Sequence, residues 1–173
     1  SYTPARAMIT TAQLKPENQL VRSDPHLISC IRGSLPGPTL IILGGIHGNE
    51  PAGVLAAERV RRQMQKHMAV LRGEVGLLRG NTRALEQRVR YIDADLNRQW
   101  TSENVRTAGL EKQGLTEVSE LSEQRELLTI VREAVSRARG EIYFLDLHTT
   151  AAQGQPFATV GDTRRNRRFA LTF

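Results

Sequence analysis

A short apolar run that ends in paired glycines constrains the fold of this chain more than any other feature. Residues 39–43 read TLIIL and are followed directly by Gly44 and Gly45. A short apolar run bounded by glycine is typical of a buried strand in a sheet that is covered on both faces. Pro51 suits the first turn of a helix that is predicted to continue to about residue 68. The chain is therefore predicted to contain the strand, turn and helix of an α/β fold.

The rest of the chain alternates short apolar runs with helical periods, which is typical of βαβ units around a largely parallel sheet. Further strands are predicted over residues 26–32, 74–78, 142–147 and 157–160. A Pro/Gly turn is predicted at residues 34–38, a long amphipathic helix over 116–139, and another helix from Thr163 onward. No repeat or low-complexity linker interrupts the sequence, so we expect one α/β domain over residues 1–173.

The composition is that of an ordinary soluble globular protein, with 39% hydrophobic and 24% charged residues. No apolar stretch approaches the roughly 18 residues of a membrane-spanning helix, and the first residues lack the apolar core of a signal peptide. We therefore expect a cytoplasmic protein. Cys30 is the only cysteine, which excludes a disulfide within the chain, and we interpret it as a small buried apolar residue.

The formal net charge of +6 raises the question of an anionic partner. The arginines are spread along the sequence, and the one dense cluster, at residues 164–168, contains no aromatic residue. We interpret that cluster as a solvated helix face, and we expect neither a nucleic acid nor a membrane as partner. An excess of positive charge also suits a small acidic substrate, which it steers toward a cleft. The sequence leaves homo-oligomerisation open.

Two histidines and a glutamate stand where ligands gather in an α/β fold. His47 and Glu50 lie three residues apart in the glycine-rich turn after residue 43, and His148 follows the predicted strand 142–147. In an open α/β sheet, ligands bind outside the carboxyl ends of the strands. Two histidines and one carboxylate form a catalytic zinc set, which leaves one coordination position for water. The sequence therefore predicts a metal site at these three residues.

Each part of this set has a simpler explanation when it is taken alone. His47 would be a loop histidine, and Glu50 would be a carboxylate that complements a helix N-terminus. The glycine-rich turn would be a phosphate loop, but it lacks the Lys-Ser/Thr ending and the glycine spacing of one. His26 and His67 have no comparable setting, and we interpret them as a strand-edge and a helix-surface residue. The glycine-rich context and the remote His148 favour the metal site.

A second cluster, RYIDADLNR at residues 90–98, contains two arginines, an asparagine and two aspartates in a predicted loop. A planar guanidinium beside an amide binds a carboxylate in a bidentate manner. On composition alone the cluster would be a surface ion-pair loop. Beside a His/Glu/His set, it favours the binding of a substrate carboxylate.

Together these motifs resemble a known family. GGIHGNEP at residues 44–51, RYIDADLNR at 90–98 and DLHTT at 146–150 are similar to the succinylglutamate desuccinylase/aspartoacylase family, with RYID more similar to the aspartoacylase side. The similarity covers about residues 40–150. It implies a zinc-carboxypeptidase-like fold with three α/β/α layers and a mixed, largely parallel sheet. It also implies a Zn²⁺ cofactor and hydrolysis of the amide bond of an N-acyl acidic amino acid.

The resemblance also implies roles for single residues. Three residues would bind one zinc ion per chain: His47, Glu50 and His148. Asp95 would orient one of the ligand histidines. Asn97 and Arg98 would hold a carboxylate of the amino acid, and Arg90 would polarise the scissile carbonyl or stabilise its oxyanion. Bound zinc would lower the pKa of its water toward about 7.

One part of that family's machinery has no counterpart in this sequence. The general base of the family is a glutamate in a Gly-x-Glu strand motif beyond the third ligand, and no residue after His148 is a glutamate. The family's catalytic domain is also longer and is followed by a β-rich part. We therefore expect the chain to be the N-terminal portion of such an enzyme, incomplete at its C-terminus and inactive by itself.

Two other functions stay open. Asn97 and Arg98 would equally hold the terminal carboxylate of a peptide, as in a zinc carboxypeptidase that acts on peptide C-termini. The missing base and the basic tail favour a noncatalytic module that binds a metal or an anion. The sequence does not define the acyl group.

Overall fold

The computed structural model describes residues 24–66, 71–108, 118–151 and 153–173. The strands are β1 (Leu27–Arg32), β2 (Leu35–Gly44), β3 (Arg72–Arg79) and β4 (Ile142–Leu147). The α-helices are α1 (Ala52–Met64), α2 (Thr82–Gln87), α3 (Ser102–Thr107), α4 (Ser119–Arg137) and α5 (Arg164–Ala170). A 3-10 turn covers Leu96–Arg98. None of these described helices has the length and apolar character of a membrane span.

The described strands form one open sheet in the order β1, β3, β2, β4. β1 runs antiparallel to β3, whereas β3 and β4 both run parallel to β2. The prediction of a mixed, largely parallel sheet is therefore confirmed. β4 pairs with β2 residue for residue up to Gly44 and Leu147, so the two strands end at the same level. The segments that follow these two strands are thus neighbours.

A helix covers each face of the sheet, because alternate residues of β2 point to opposite faces. On one face Ile42 packs in a cluster with Ala57 of α1. On the other face Ile41 and Leu43 pack in a cluster with Leu127 of α4. This is the three-layer α/β/α arrangement that the resemblance implied. It also explains why the central part of β2 is a continuous apolar run.

The turn predicted at residues 34–38 is wrong, because β2 already begins at Leu35. The pairing of β2 with β3 is irregular between Leu35 and Thr39. Pro36 and Pro38 lie in this irregular part, where the missing N–H of proline interrupts no regular ladder. The proline and glycine pattern that predicts a turn therefore occurs here in the irregular start of a strand.

The strand predicted at residues 157–160 is also wrong, because these residues pair with no described strand. Phe157 is 76% exposed and Val160 is 45% exposed. A four-residue apolar run becomes a strand only where a neighbouring strand accepts its backbone hydrogen bonds. Among the described residues, this run has no such neighbour.

The long predicted helices are present, with different ends. α1 ends at Met64, and residues 67–70, which include His67 and the predicted helix end, lie outside the described residues. Leu55 is an apolar residue of this helix, yet it is 62% exposed. α4 begins at Ser119, and residues 116 and 117 of its predicted start are likewise outside the described residues.

The helix predicted from Thr163 is α5, and its arginines are exposed as expected for a solvated helix face. The side chain of Thr163 accepts a hydrogen bond from the backbone of Asn166 and caps the helix. The opposite side of α5 packs on the sheet through Phe169, whose ring stacks on Tyr143 of β4 with centroids 4.6 Å apart. The Arg165 guanidinium lies over the same tyrosine ring, 5.3 Å from its centroid.

His26 was interpreted as a strand-edge residue, but its side chain is fully buried. Its Nδ1 lies 3.0 Å from the carbonyl oxygen of Arg79. Its Nε2 lies 3.3 Å from a carboxylate oxygen of Glu123 and 3.2 Å from one of Glu126. The residue before β1 therefore lies against two carboxylates of α4, a contact that the sequence pattern did not reveal.

Cys30 is only partly buried, and its neighbours are charged, so its interpretation as a buried apolar residue is wrong. Its thiol donates to Oε1 of Glu74 at 3.3 Å. Burial, followed by the charge of Glu74, raises the pKa of the Cys30 thiol. The same glutamate accepts hydrogen bonds from Arg137 of α4 at 2.7 to 3.1 Å and pairs with Arg32 of β1 at 3.1 Å. Glu74 thus links β3 to β1 and to α4.

We expect Glu74 to make the stability of the fold sensitive to acid. Burial alone would raise its pKa, but the hydrogen bonds from Arg137 lower it below the ordinary value of 4.5. The unfolded chain therefore binds the proton first, and stability falls as the pH drops from 4.5 through the folded-state pKa. Glu74→Gln should lower the free energy of unfolding at neutral pH, and its difference from the wild type should shrink in acid.

Urea unfolding at several pH values measures this difference. Glu133→Gln, which changes an exposed glutamate of α4, is the matched control and should behave like the wild type. A difference between Glu74→Gln and the wild type that stays constant from about pH 7 to about pH 3 would contradict the assigned role.

Candidate metal centre

Glycine shapes the turn that follows β2. Gly45 has a φ of +75°, in the left-handed region that favours glycine. A Cβ on Gly48 would lie 2.0 Å from the backbone of Ala84, so only glycine lets α2 pack this closely against the turn. The N–H of Asn81 donates to the carbonyl of Gly45 at 2.9 Å. The turn therefore has a fixed position between the end of β2 and the start of α2.

Three candidate ligand side chains converge at this edge of the sheet: His47, Glu50 and His148. Glu50 lies between the two rings, with Oε1 2.9 Å from Nδ1 of His47 and Oε2 3.3 Å from Nδ1 of His148. One ligand atom from each residue lies within 4.8 Å of the other two. His47 and Glu50 are buried, whereas His148 is exposed. The structure thus brings the predicted ligands together and leaves one side of the group open.

A second carboxylate holds the far nitrogen of each ring. Nε2 of His47 lies 3.0 Å from Asp95, and Nε2 of His148 lies 2.9 Å from Asp146. Such partners fix the tautomer and the direction of ligand histidines. Asp95 was predicted to have this role, whereas no role was predicted for Asp146. The sequence did contain a signal, because side chains two residues apart in a strand lie on the same face.

The donor set fits a zinc ion by its chemistry. Two imidazole nitrogens and one carboxylate are the protein ligands of a common open zinc site. Both imidazoles present Nδ1 to the same glutamate because a carboxylate holds each Nε2. The geometry of His47, Glu50 and His148 therefore suits a metal ion at this place.

The surroundings of the carboxylates differ. Burial raises the pKa of Glu50, but the N–H of Thr149, at 2.8 Å, and His47 outweigh it, so its pKa lies below the ordinary value. For Asp95 burial is likewise outweighed, by His47 first, and its pKa is lowered. For Asp146 burial dominates and raises the pKa in spite of His148. Glu50 and Asp95 are therefore favoured as anions in this cluster.

The residues of the second motif lie beside this group. Arg90 has Nη1 3.6 Å from Glu50 and Nη2 3.5 Å from Asp95, and its side chain is 49% exposed. Asn97 and Arg98 follow on the 3-10 turn, where the Asn97 N–H donates to Asp95 at 3.0 Å. Both residues are exposed, and the Arg98 guanidinium forms no ion pair within the described part of the chain. Arg90 therefore contacts the candidate ligand group directly, whereas Asn97 and Arg98 lie on the turn next to it.

Polar side chains of α4 hold the segment that carries the second motif. Three of them are buried: Glu120, Glu123 and Gln124. They bind residues 82–83, 92–94 and Gln99 through hydrogen bonds of 2.7 to 3.2 Å. None of the three was predicted from the sequence. Their signal was polar residues at helical spacing on the side of α4 that continues with buried Leu127.

Comparison with known proteins places this geometry in a family. The succinylglutamate desuccinylase/aspartoacylase catalytic domain matches residues 36–171. The match covers well over half of the chain, and the chain therefore belongs to this family. The predicted resemblance is confirmed.

Individual relatives agree with this assignment. The chain is 32% identical over 120 residues to the N-acyl-aromatic-L-amino acid amidohydrolase (carboxylate-forming) of Xenopus tropicalis, covering 68% of this chain and 36% of that protein. It is 40% identical over 80 residues to the aspartoacylase of Mus musculus, covering 46% and 25% of the two chains. The succinylglutamate desuccinylase structure from Chromobacterium violaceum superposes with a TM-score of 0.51 at 26% identity, covering 69% and 36%. The chain thus spans between a quarter and about a third of the length of these curated relatives.

We expect Gly48→Ala to destabilise the fold, because the new Cβ would meet the backbone of Ala84 at 2.0 Å. Overpacking of this kind costs about 1–3 kcal/mol of stability. Gly76→Ala is the matched control, since a Cβ at this buried position of β3 meets nothing within 4 Å. Denaturant unfolding compares the two variants. Equal stability of both would show that α2 does not pack on the turn as described.

Proposed function

We propose that this chain carries the metal site of a zinc-dependent deacylase that hydrolyses the amide bond of N-acyl acidic amino acids. One observation carries the proposal: His47 and His148 direct Nδ1 toward Glu50, and each ring has a carboxylate on its Nε2. Membership of the family supports deacylation, because the named relatives are an amidohydrolase, an aspartoacylase and a desuccinylase.

Each residue near the ligand group then has a chemical task. His47, Glu50 and His148 would hold a zinc ion, which would supply water activated at neutral pH, with a pKa of about 7. Arg90 would donate to the scissile carbonyl oxygen and stabilise the negative charge that develops there. Asp95 and Asp146 would keep the ligand imidazoles in the required tautomer. Asn97 and Arg98 would bind a carboxylate of the amino acid, for which the forked guanidinium is suited.

The preference for acidic amino acids is the finer part of the proposal. The named relatives refer to aspartate, glutamate and aromatic amino acids, so an N-acyl amino acid is what they share. Arg98 adds a guanidinium group on the 3-10 turn beside the ligand group, which favours a substrate with a carboxylate at that place. The RYID run at residues 90–93 supports the aspartoacylase side of the family.

Proton transfer needs a further group. The leaving amine must receive a proton that the attacking water gives up, and a glutamate base would carry it. The sequence after His148 contains no glutamate. We therefore propose that this chain by itself binds zinc but hydrolyses its substrate only slowly.

The ligand assignment predicts that His148→Ala removes stoichiometric zinc, because two protein ligands remain where three are needed. The helix content should stay largely intact, since His148 is exposed at the end of β4. Arg98→Ala is the control and should keep its zinc, because Arg98 is not among the candidate ligands. Elemental analysis after dialysis measures the metal, and circular dichroism measures the helices. Undiminished zinc in His148→Ala would refute the assignment.

The activity is tested with the zinc-loaded chain on N-acetyl-aspartate, N-succinyl-glutamate and a blocked dipeptide. We expect zinc-dependent hydrolysis of the acyl amino acids at a rate about 10²- to 10⁴-fold below a complete aspartoacylase, the usual contribution of a positioned acid-base group. Arg98→Ala should mainly raise the KM for these substrates. Faster cleavage of the dipeptide would favour a carboxypeptidase. A rate equal to that of the complete enzyme would show that a glutamate of this chain serves as base.

A further inference from the structure

Glu120 is a fully buried carboxylate at the first turn of α4. Its Oε2 accepts hydrogen bonds from the N–H groups of Asp93 and Ala94, at 3.1 and 3.0 Å. Its Oε1 accepts one from the N–H of Ile92 at 2.7 Å and one from the Asn81 side chain at 2.9 Å. A buried carboxylate with four donors compensates its loss of hydration and requires those donors to stay in place.

The groups that donate to Glu120 come from two segments beside the candidate metal centre. Residues 92–94 lead directly into Asp95, which holds Nε2 of His47. Asn81 donates its backbone N–H to the carbonyl of Gly45, in the turn that carries His47. One carboxylate is therefore bonded to the segment before Asp95 and to the residue that fixes the histidine turn.

The contact between α4 and this segment is reciprocal. The backbone N–H of Ser119, at the start of α4, donates to the carboxylate of Asp93 at 2.8 Å. No side chain at the N-cap residue, Val118, caps the helix. Asp93 thus satisfies a free N–H of the helix, while Glu120 of the helix satisfies the N–H groups around Asp93.

We propose that Glu120 is a positioning residue of the metal centre, which sets the distance between Asp95 and His47 and thereby the affinity for zinc. The proposal rests on the proposed function above. It follows from the position of the Glu120 carboxylate, which accepts hydrogen bonds both from residues 92–94 and from Asn81. A change at Glu120 should reach the metal through Asp95, without any contact between Glu120 and the ligands.

Gln is the informative replacement at this position. It keeps the size of Glu120 but turns one oxygen into an NH₂ group, which faces N–H donors whichever way the amide points. Two of the four hydrogen bonds are then lost, and the segment before Asp95 or the Asn81 contact must shift.

Glu123 offers a matched control one turn further along α4. It is equally buried and accepts hydrogen bonds from the backbone N–H groups of Thr82 and Arg83 and from both of their side chains. Those residues carry no candidate ligand. Glu123→Gln should therefore lower the stability of the fold about as much as Glu120→Gln does. It should leave the contact between His47 and Asp95 intact.

The test measures zinc affinity by chelator competition in the 173-residue chain, beside urea unfolding of each variant. Glu120→Gln should weaken zinc binding about 10-fold, at the low end of the effect of losing the partner of a ligand histidine. Glu123→Gln should change it by less than about twofold. In an Asp95→Asn background, Glu120→Gln should cause no more than about a twofold further loss, because its route to the metal is already broken. If Glu120→Gln does not fold, Glu120→Asp replaces it, because aspartate keeps the carboxylate but has a shorter side chain. The same loss of zinc affinity is expected for it.

The outcomes separate the proposals. A wild-type chain that does not bind zinc overturns the proposed function and the role of Glu120 with it. Zinc binding by the wild type with equal affinity in the Glu120 and Glu123 variants overturns only the role of Glu120. If Glu120→Gln still weakens zinc binding about 10-fold in the Asp95→Asn background, Glu120 does not act through Asp95.

Discussion

The parallel pairing of β4 with β2 is the constraint on which the site depends. The two strands keep one register from Thr39 and Ile142 to Gly44 and Leu147. His148 follows β4 by one residue, and His47 follows β2 by three. A shift of this register by one residue would turn the side chains of β4 to the other face of the sheet and separate the two rings. Apolar packing on both faces of the sheet opposes such a shift, because β2 is buried between α1 and α4.

α4 combines packing and polar anchoring in a single helix face. Its later turns place Leu127 and Ala134 in the apolar core against the sheet. Its first turns place buried glutamates and a glutamine, among them Glu120, against the segment between β3 and α3. Buried carboxylates are costly unless donors surround them, and here backbone N–H groups provide that compensation. The polar half of the helix therefore holds a loop in one conformation, which apolar contacts, being non-directional, would do less well.

The sequence predicted what depends on local patterns. The apolar run before Gly44, the helical period of α1 and the spacing of His47 and Glu50 all survive in the structure. The errors concern features that depend on remote partners. Residues 157–160 have an apolar pattern but no strand beside them, and the setting of Cys30 is decided by Glu74 and by an arginine more than a hundred residues away. No local pattern reveals such remote neighbours. The contact between Asp146 and His148, in contrast, is indicated by their spacing of two residues, because side chains with this spacing point to the same side of an extended segment.

The local charge at the candidate metal centre is opposite in sign to the net charge of the whole chain. The formal net charge is +6, and many of the arginines, including those of α5, are exposed. Around the candidate ligand histidines, however, Glu50 and Asp95 are favoured as anions and lie beside the guanidinium of Arg90. An excess of local negative charge favours a cation at the donor set. In the proposed function, Arg90 and Arg98 would act at short range, through direct hydrogen bonds, because the net charge of the chain does not describe the field at the candidate metal centre.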